Sequence, residues 1–146
     1  MIDDETQKKD EALLHQIFVT MRLFTKAIND TIKRYNVYSS EWSVLRYLTN
    51  HPSVSQTAIA TALQIEPAAI SKTLAKMEKK GLIYRTCKED KREKYITLTE
   101  QGRTLYPLVA AHVNEQRSLA LRGLSAEDRK AARLFINTMF ENLYEH

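Results

Sequence analysis

Nine basic residues crowd into one short stretch of the 146-residue sequence, positions 71–94. Lys72, Lys76, Lys79, Lys80, Arg85, Lys88, Lys91, Arg92 and Lys94 stand there against Glu78, Glu89, Asp90 and Glu93, a net of +5, while the rest of the chain sums to −1. Charge focused in this way raises the local concentration of polyanions and binds phosphates by releasing condensed counterions. On charge alone, a solvated lysine-rich helix face fits equally well. Spacing adds a second argument. On a helix from Pro67 to Lys80, Ile70, Leu74 and Met77 fall on one apolar stripe, and the opposite face carries Ala68, Ser71, Lys72, Ala75, Lys76 and Lys79. Ala68, Ala69, Ser71 and Ala75 have little bulk, so the backbone can approach closely. The major groove of B-form DNA admits such a helix and presents a distinct donor and acceptor code. Ser71 and Lys72 are expected at base edges or nearby phosphates, and Thr73 and Lys76 at phosphates. Ordinary surface polarity is the competing reading of Ser71 and Thr73.

A charged turn, KEDKRE, lies between two strand candidates and supplies a second set of contacts. Arg92 suits an adjacent minor groove, where narrow A·T-rich tracts concentrate negative potential. Asp90, two residues back, can hold the guanidinium in a bidentate pose, which gives an acid in a DNA-facing loop a purpose. The alternative is an exposed ion pair of little energetic weight. Arg85 and Lys88 are expected at phosphates. The full expected contact set is Ser55, Gln56, Pro67, Ala68, Ser71, Lys72, Thr73, Lys76, Arg85, Lys88, Asp90, Lys91, Arg92 and Lys94.

Other chemistries find little support. A Gly-rich phosphate loop, H-E-x-x-H, G-x-S-x-G and a paired-acid arrangement are all missing from the sequence, so enzyme activity is not expected. A single cysteine excludes an internal disulfide and a CxxC site. Cys87 reads either as a thiol whose oxidation disturbs the hairpin or, preferably, as an inert hydrophobic filler. His15, His51, His112 and His146 have no close His or Cys neighbour, so neither a metal nor another cofactor is expected. His112 with Glu115 and a ligand from elsewhere is the weaker alternative to a satisfied or surface histidine.

These residues need a scaffold, and the chain is 43% hydrophobic with only three Gly and three Pro, which favours long helices. Residues 1–10 are polar and read as a frayed lead-in. Leu14, Ile17, Phe18, Met21, Phe24, Ile28 and Ile32 then recur at helical spacing, predicting a helix over 10–35 that outruns a small core. Ser39 or Ser40 is expected to cap a second helix bearing Trp42, Val44, Leu45 and Leu48, stopped at His51-Pro52. Ser55 precedes a short helix, Gln56 to Leu63, and Pro67 opens the basic helix, which ends at Gly81. Leu82–Cys87 and Lys94–Leu98 read as a two-stranded hairpin. A fifth helix starts at Thr99 or Glu100, with Pro107 expected to kink it or delay its start. Ser125 to Asp128 resembles a capping box opening the last helix, with Ala131, Leu134, Phe135, Thr138 and Met139 inward.

The terminal helices carry more apolar surface than one small core can cover. Sharing it between two copies is the economical solution, preferred here over a monomeric bundle. Leu14, Ile17, Leu134, Phe135 and Met139 are the expected dimerisation residues. The start, MIDDETQKKDE, has neither the basic opening nor the apolar core of a secretory signal, and no stretch approaches a spanning helix; a cytoplasmic protein without a membrane partner is expected.

The stretch SQTAIATALQIEPAAISKTLAKMEKKGLIYRTCKEDKREKYITLTEQG, residues 55–102, resembles the winged helix-turn-helix core of the MarR family of bacterial transcriptional regulators. The resemblance rests on SQTAIA, LAKMEKKGLIYR, the D-x-R of Asp90-Lys91-Arg92 and the closing ITLTEQG, in that order and spacing. It implies a mainly α fold: three helices and a two-stranded β hairpin at residues 37–99, flanked by dimerisation helices at 1–36 and 100–146. It further implies a homodimer that binds pseudo-palindromic double-stranded DNA, with Pro67–Lys80 as recognition helix and Arg92 entering the minor groove from the wing. A repressor released by a small lipophilic or phenolic effector is the expected function. A winged-helix protein-interaction module and a low-specificity DNA-architectural dimer are the alternatives. Cys87 does not match the N-terminal cysteine of oxidant-sensing members, and Leu108 stands where zinc-sensing members pair a histidine with the one matched by His112. An effector pocket is therefore expected between helices 1, 2 and 5, lined by Phe18, Met21, Tyr35, Tyr38, Trp42 and Tyr47, for which ordinary core packing is the rival reading.

Overall fold

Asp3 opens the first helix by accepting a hydrogen bond from the Thr6 backbone N–H at 2.7 Å. Helix α1 therefore runs over Asp4–Ile32, followed by a 3-10 turn at Lys33–Tyr35. The expected frayed lead-in is helical instead, because an aspartate cap with Asp4 and Glu5 in the first turn suits the helix dipole. The computed structural model describes residues 1–87 and 93–145. It divides into two compact units, residues 1–116 and 117–146.

In the first unit, Asn36 takes the left-handed conformation (φ 56°), and α2 follows over Ser39–Asn50. Its first turn is fastened by Glu41, whose carboxylate accepts from the Tyr38 N–H at 3.0 Å, so neither Ser39 nor Ser40 is the cap. Strand β1 (Val54–Ser55) leads into α3 (Gln56–Leu63), α4 (Pro67–Lys79), β2 (Ile83–Cys87), β3 (Lys94–Leu98) and α5 (Glu100–Ala120). The hairpin is accompanied by a third strand: the antiparallel order is β1-β3-β2, with Val54 opposite Ile96 and Ile83 opposite Leu98. Two residues are too short to show an alternating pattern, which is why β1 was not legible beside the hairpin.

Helix α5 continues through Pro107 without a break. Only the bond from residue 107 to the carbonyl four residues earlier is lost, and burial of Val109 and Val113 outweighs it. The core is one cluster drawing Ile28 and Ile32 of α1, Val44, Leu45 and Leu48 of α2, Ile59 of α3, Ile70, Leu74 and Met77 of α4, the strands' Ile83, Ile96 and Leu98, and α5. Upstream of it, α1 leaves Leu13, Leu14, Phe18, Val19, Met21 and Leu23 exposed.

The second unit holds the end of α5, a turn at Gly123 (φ 86°) and α6 (Ala126–Tyr144). The capping box is formed: Ser125 N–H donates to Asp128 Oδ2 at 2.9 Å, and Asp128 N–H to Ser125 Oγ at 3.1 Å. None of the residues expected inward on α6 is buried within one chain; Leu134 is 70% exposed, Phe135 40%, and Met139 is half-buried. No described helix is long and apolar enough to cross a membrane.

Candidate nucleic-acid interface

Ser55 sets the first helix of the interface by accepting from the Ala58 N–H at 3.0 Å. Gln64 ends α3 in the left-handed conformation (φ 51°), a tight corner that turns the chain into Glu66-Pro67. Pro67 occupies the first turn of α4, where its missing N–H costs no helical bond. Ile70, Leu74 and Met77 anchor α4 in the core, which leaves Ala68, Ala69, Lys72, Ala75 and Lys76 exposed together. Ser71 and Thr73 are half-buried at the margins of that face. The chemistry on offer is that of a low, smooth ridge flanked by ammonium groups, with Gly81 (φ 77°) closing the far end.

Arg85 departs from expectation. Its side chain is 13% exposed; Nη1 donates to Gln56 Oε1 at 3.4 Å and Nε lies 3.8 Å from Glu78 Oε2, too far for a hydrogen bond. It ties β2 to α3 and α4 within the chain rather than standing free for a phosphate, and it occupies Gln56 as well. Lys94 is exposed at the start of β3, opposite Cys87. Lys88, Asp90, Lys91 and Arg92, and with them the Asp90–Arg92 pair, lie outside the described residues. Cys87 is exposed at the end of β2, so it fills no part of the core.

The six residues expected around an effector differ in exposure and in partners. Phe18 and Met21 are exposed on α1, with the Arg22 guanidinium 4.3 Å from the Phe18 ring centre. Trp42 is buried and stacks on Tyr106 at 5.1 Å, and Tyr47 stacks on His51 at 4.1 Å. Tyr35 Oη bonds His112 Nε2 at 2.9 Å, and Tyr38 is exposed near Lys80. His112 also faces Glu115 at 3.9 Å, and the described residues contain no group of three or more metal-ligating side chains. Among the described residues, two cavities open that none of these six lines, the second of them between α2, β3 and α5. One of about 500 Å³ lies between α3, the Glu66-Pro67 corner and Glu93-Lys94; one of about 350 Å³ is lined by Leu48, Thr49, Pro52, Thr97, Leu98, Arg103 and Tyr106. Sequence reasoning missed Glu41. Its one signal was an acid at the third position of a helix otherwise opening on Tyr38 and Trp42.

A sequence model of the MarR family matches residues 37–94, which holds α2, α3, α4 and β2. An uncharacterized HTH-type transcriptional regulator of Bacillus subtilis (strain 168), YwoH, is 31% identical over 119 residues, covering 82% of this chain and 87% of that one. The chain belongs to the MarR family. Similar folds are found in the transcriptional regulator SlyA (TM-score 0.84, 23% identity, 91% of this chain and 94% of that one) and in a mutant MarR from E. coli complexed with operator DNA (TM-score 0.81, 15% identity, 88% and 93%). This MarR-family protein is thus a transcriptional regulator rather than an enzyme, built on a winged helix-turn-helix.

Proposed function

We propose that the protein is a homodimeric, cytoplasmic repressor that reads a pseudo-palindromic duplex. Helix α4 enters the major groove, Arg92 reaches the adjacent minor groove, and a small lipophilic or phenolic molecule bound between α1, α2 and α5 releases the DNA. The observation that carries this reading is the exposed face of α4, where three alanines, Lys72 and Lys76 project opposite three fully buried anchors. The E. coli MarR structure complexed with operator DNA supports the same partner. Dimerisation through residues 1–36 and 100–146 is supported by the apolar side chains that one chain leaves uncovered. Phe18 is 56% exposed on α1, and Leu134, Phe135, Ile136 and Phe140 are exposed on α6. Monomeric proteins seldom leave apolar faces of that extent to water.

The test is selection from a random duplex pool. The protein should retain a two-fold-symmetric motif, with affinity falling steeply as salt rises. Retention of every sequence alike favours an architectural role, and retention of none favours an acidic protein partner for the basic face.

A further inference from the structure

Glu41 is 1% exposed, and fastening the first turn of α2 occupies only one of its two carboxylate oxygens. Its Oε1 accepts from the Tyr38 N–H and also from Lys80 Nζ at 2.8 Å, whereas Oε2 has no hydrogen-bond partner among the described residues. Lys80 is the residue that ends α4. The same ammonium donates to the Asn36 carbonyl at 2.7 Å and lies 5.2 Å from the Tyr38 ring centre. Asn29 of α1 completes the corner, its Oδ1 accepting from the Ser39 N–H at 2.7 Å. One side chain at the C-terminal end of α4 thus gathers a carboxylate, a carbonyl and a ring, all from the junction between α1 and α2. At the other end of α4, Glu66 makes no side-chain cap bond.

We propose that the Glu41–Lys80 pair is a positioning element that sets the angle of α4 against the α1–α2 junction, and so the separation of the two recognition helices in the dimer. The proposal rests on the duplex-binding reading above. A buried ion pair adds little net stability over apolar residues of equal volume, because desolvation offsets most of the attraction; its best-attested role is to fix register. An apolar contact here would hold α4 as firmly but allow it to slide. The bonds from Lys80 to Glu41 and Asn36 fix direction as well as distance. Two recognition helices must meet grooves one helical turn apart, so a small rotation at this joint changes which half-site spacing is bound.

The test uses the full-length protein, the duplex it retains from a random pool, and versions of that duplex with half-sites moved by one or two base pairs. The variant pair Glu41→Gln with Lys80→Met removes both charges at nearly constant volume and keeps an acceptor for the Tyr38 N–H. Wild type should bind the selected spacing at least about tenfold more tightly than its neighbours, and the double variant should lose most of that preference. A merely structural role would lower the unfolding midpoint or weaken all spacings alike, and an unchanged spacing profile overturns the proposal. Should the double variant fail to fold, Glu41→Gln alone and Lys80→Arg keep the question open to measurement. The first should flatten the profile, the second should preserve it, and the reverse order contradicts the pin. A wild type that retains no duplex sinks the underlying reading, and the pin with it. A sharp wild-type optimum shared by the variant sinks the pin alone.

Discussion

A Cβ at Gly102 would collide with the Leu82 carbonyl oxygen and stand 3.1 Å from Leu98 Cδ2. The glycine has ordinary helical geometry; what it supplies is space, letting α5 pass close to the base of the hairpin. Thr99 locks the same joint, its hydroxyl donating to the Gly81 carbonyl and accepting from the Gly102 N–H. Gly102→Ala should therefore destabilise the fold by about 1–3 kcal/mol, read as a lower denaturant midpoint at unchanged slope. On the exposed face of α4, Lys72 makes none of the described ion pairs. Lys72→Ala should weaken binding to every duplex and reduce the slope of log K against log salt by about one; an unchanged slope would remove Lys72 from the contact set. Residues with local roles were legible in the sequence: Ser55 as a cap, Pro67 as a helix opener, Gly81 as a helix stop. The long-range roles of Arg85 and Glu41 were not, because Gln56 and Lys80 lie 29 and 39 residues away from them.

Among the elements, α6 is governed most by its first turn. The Ser125 N–H bond to Asp128, followed by the serine side-chain bond, holds the Asp128 carboxyl below the usual aspartate range. A lowered folded-state pKa contributes stability that is fully present above the ordinary aspartate value of about 3.9 and is lost as pH falls through the lowered value. Amide exchange in the first turn of α6 should thus be protected to the same degree between about pH 5 and 7, after correction for intrinsic rates, and lose protection below about pH 4. Asp128→Asn should remove that pH step, and a step that persists would assign it to another carboxylate. The order and type of the helices and the hairpin could be read from apolar spacing and capping residues. Three features could not. The two-residue strand β1 carries no period, the helical start at Asp4 rests on one cap in a polar stretch, and Pro107 is tolerated because tertiary burial overrides local propensity.

At the scale of the whole molecule, the apolar residues of the terminal helices are the main unsettled charge against a single copy in water. Leu134 and Phe135 lie in the middle of α6 and are 70% and 40% exposed in a single copy. Phe135→Glu should convert a dimer into monomers in sedimentation experiments and lower duplex affinity with it, whereas an unchanged dimer would place the interface elsewhere. The sequence pointed to this surplus through helix length, since an apolar-striped helix over 10–35 outruns a core of about 60 residues. The expected effector pocket was far less legible. Aromatic side chains at helical spacing look alike whether they line a cleft or pack on neighbours, and here Trp42 and Tyr47 each stack on a ring of the same chain. A hydroxyl-radical footprint on the duplex recovered by selection bears most directly on the claim that two copies of α4 read successive grooves. Two protected patches related by a two-fold axis are expected, with centres about 10 base pairs apart. A single patch, or even protection along the whole duplex, would contradict that claim.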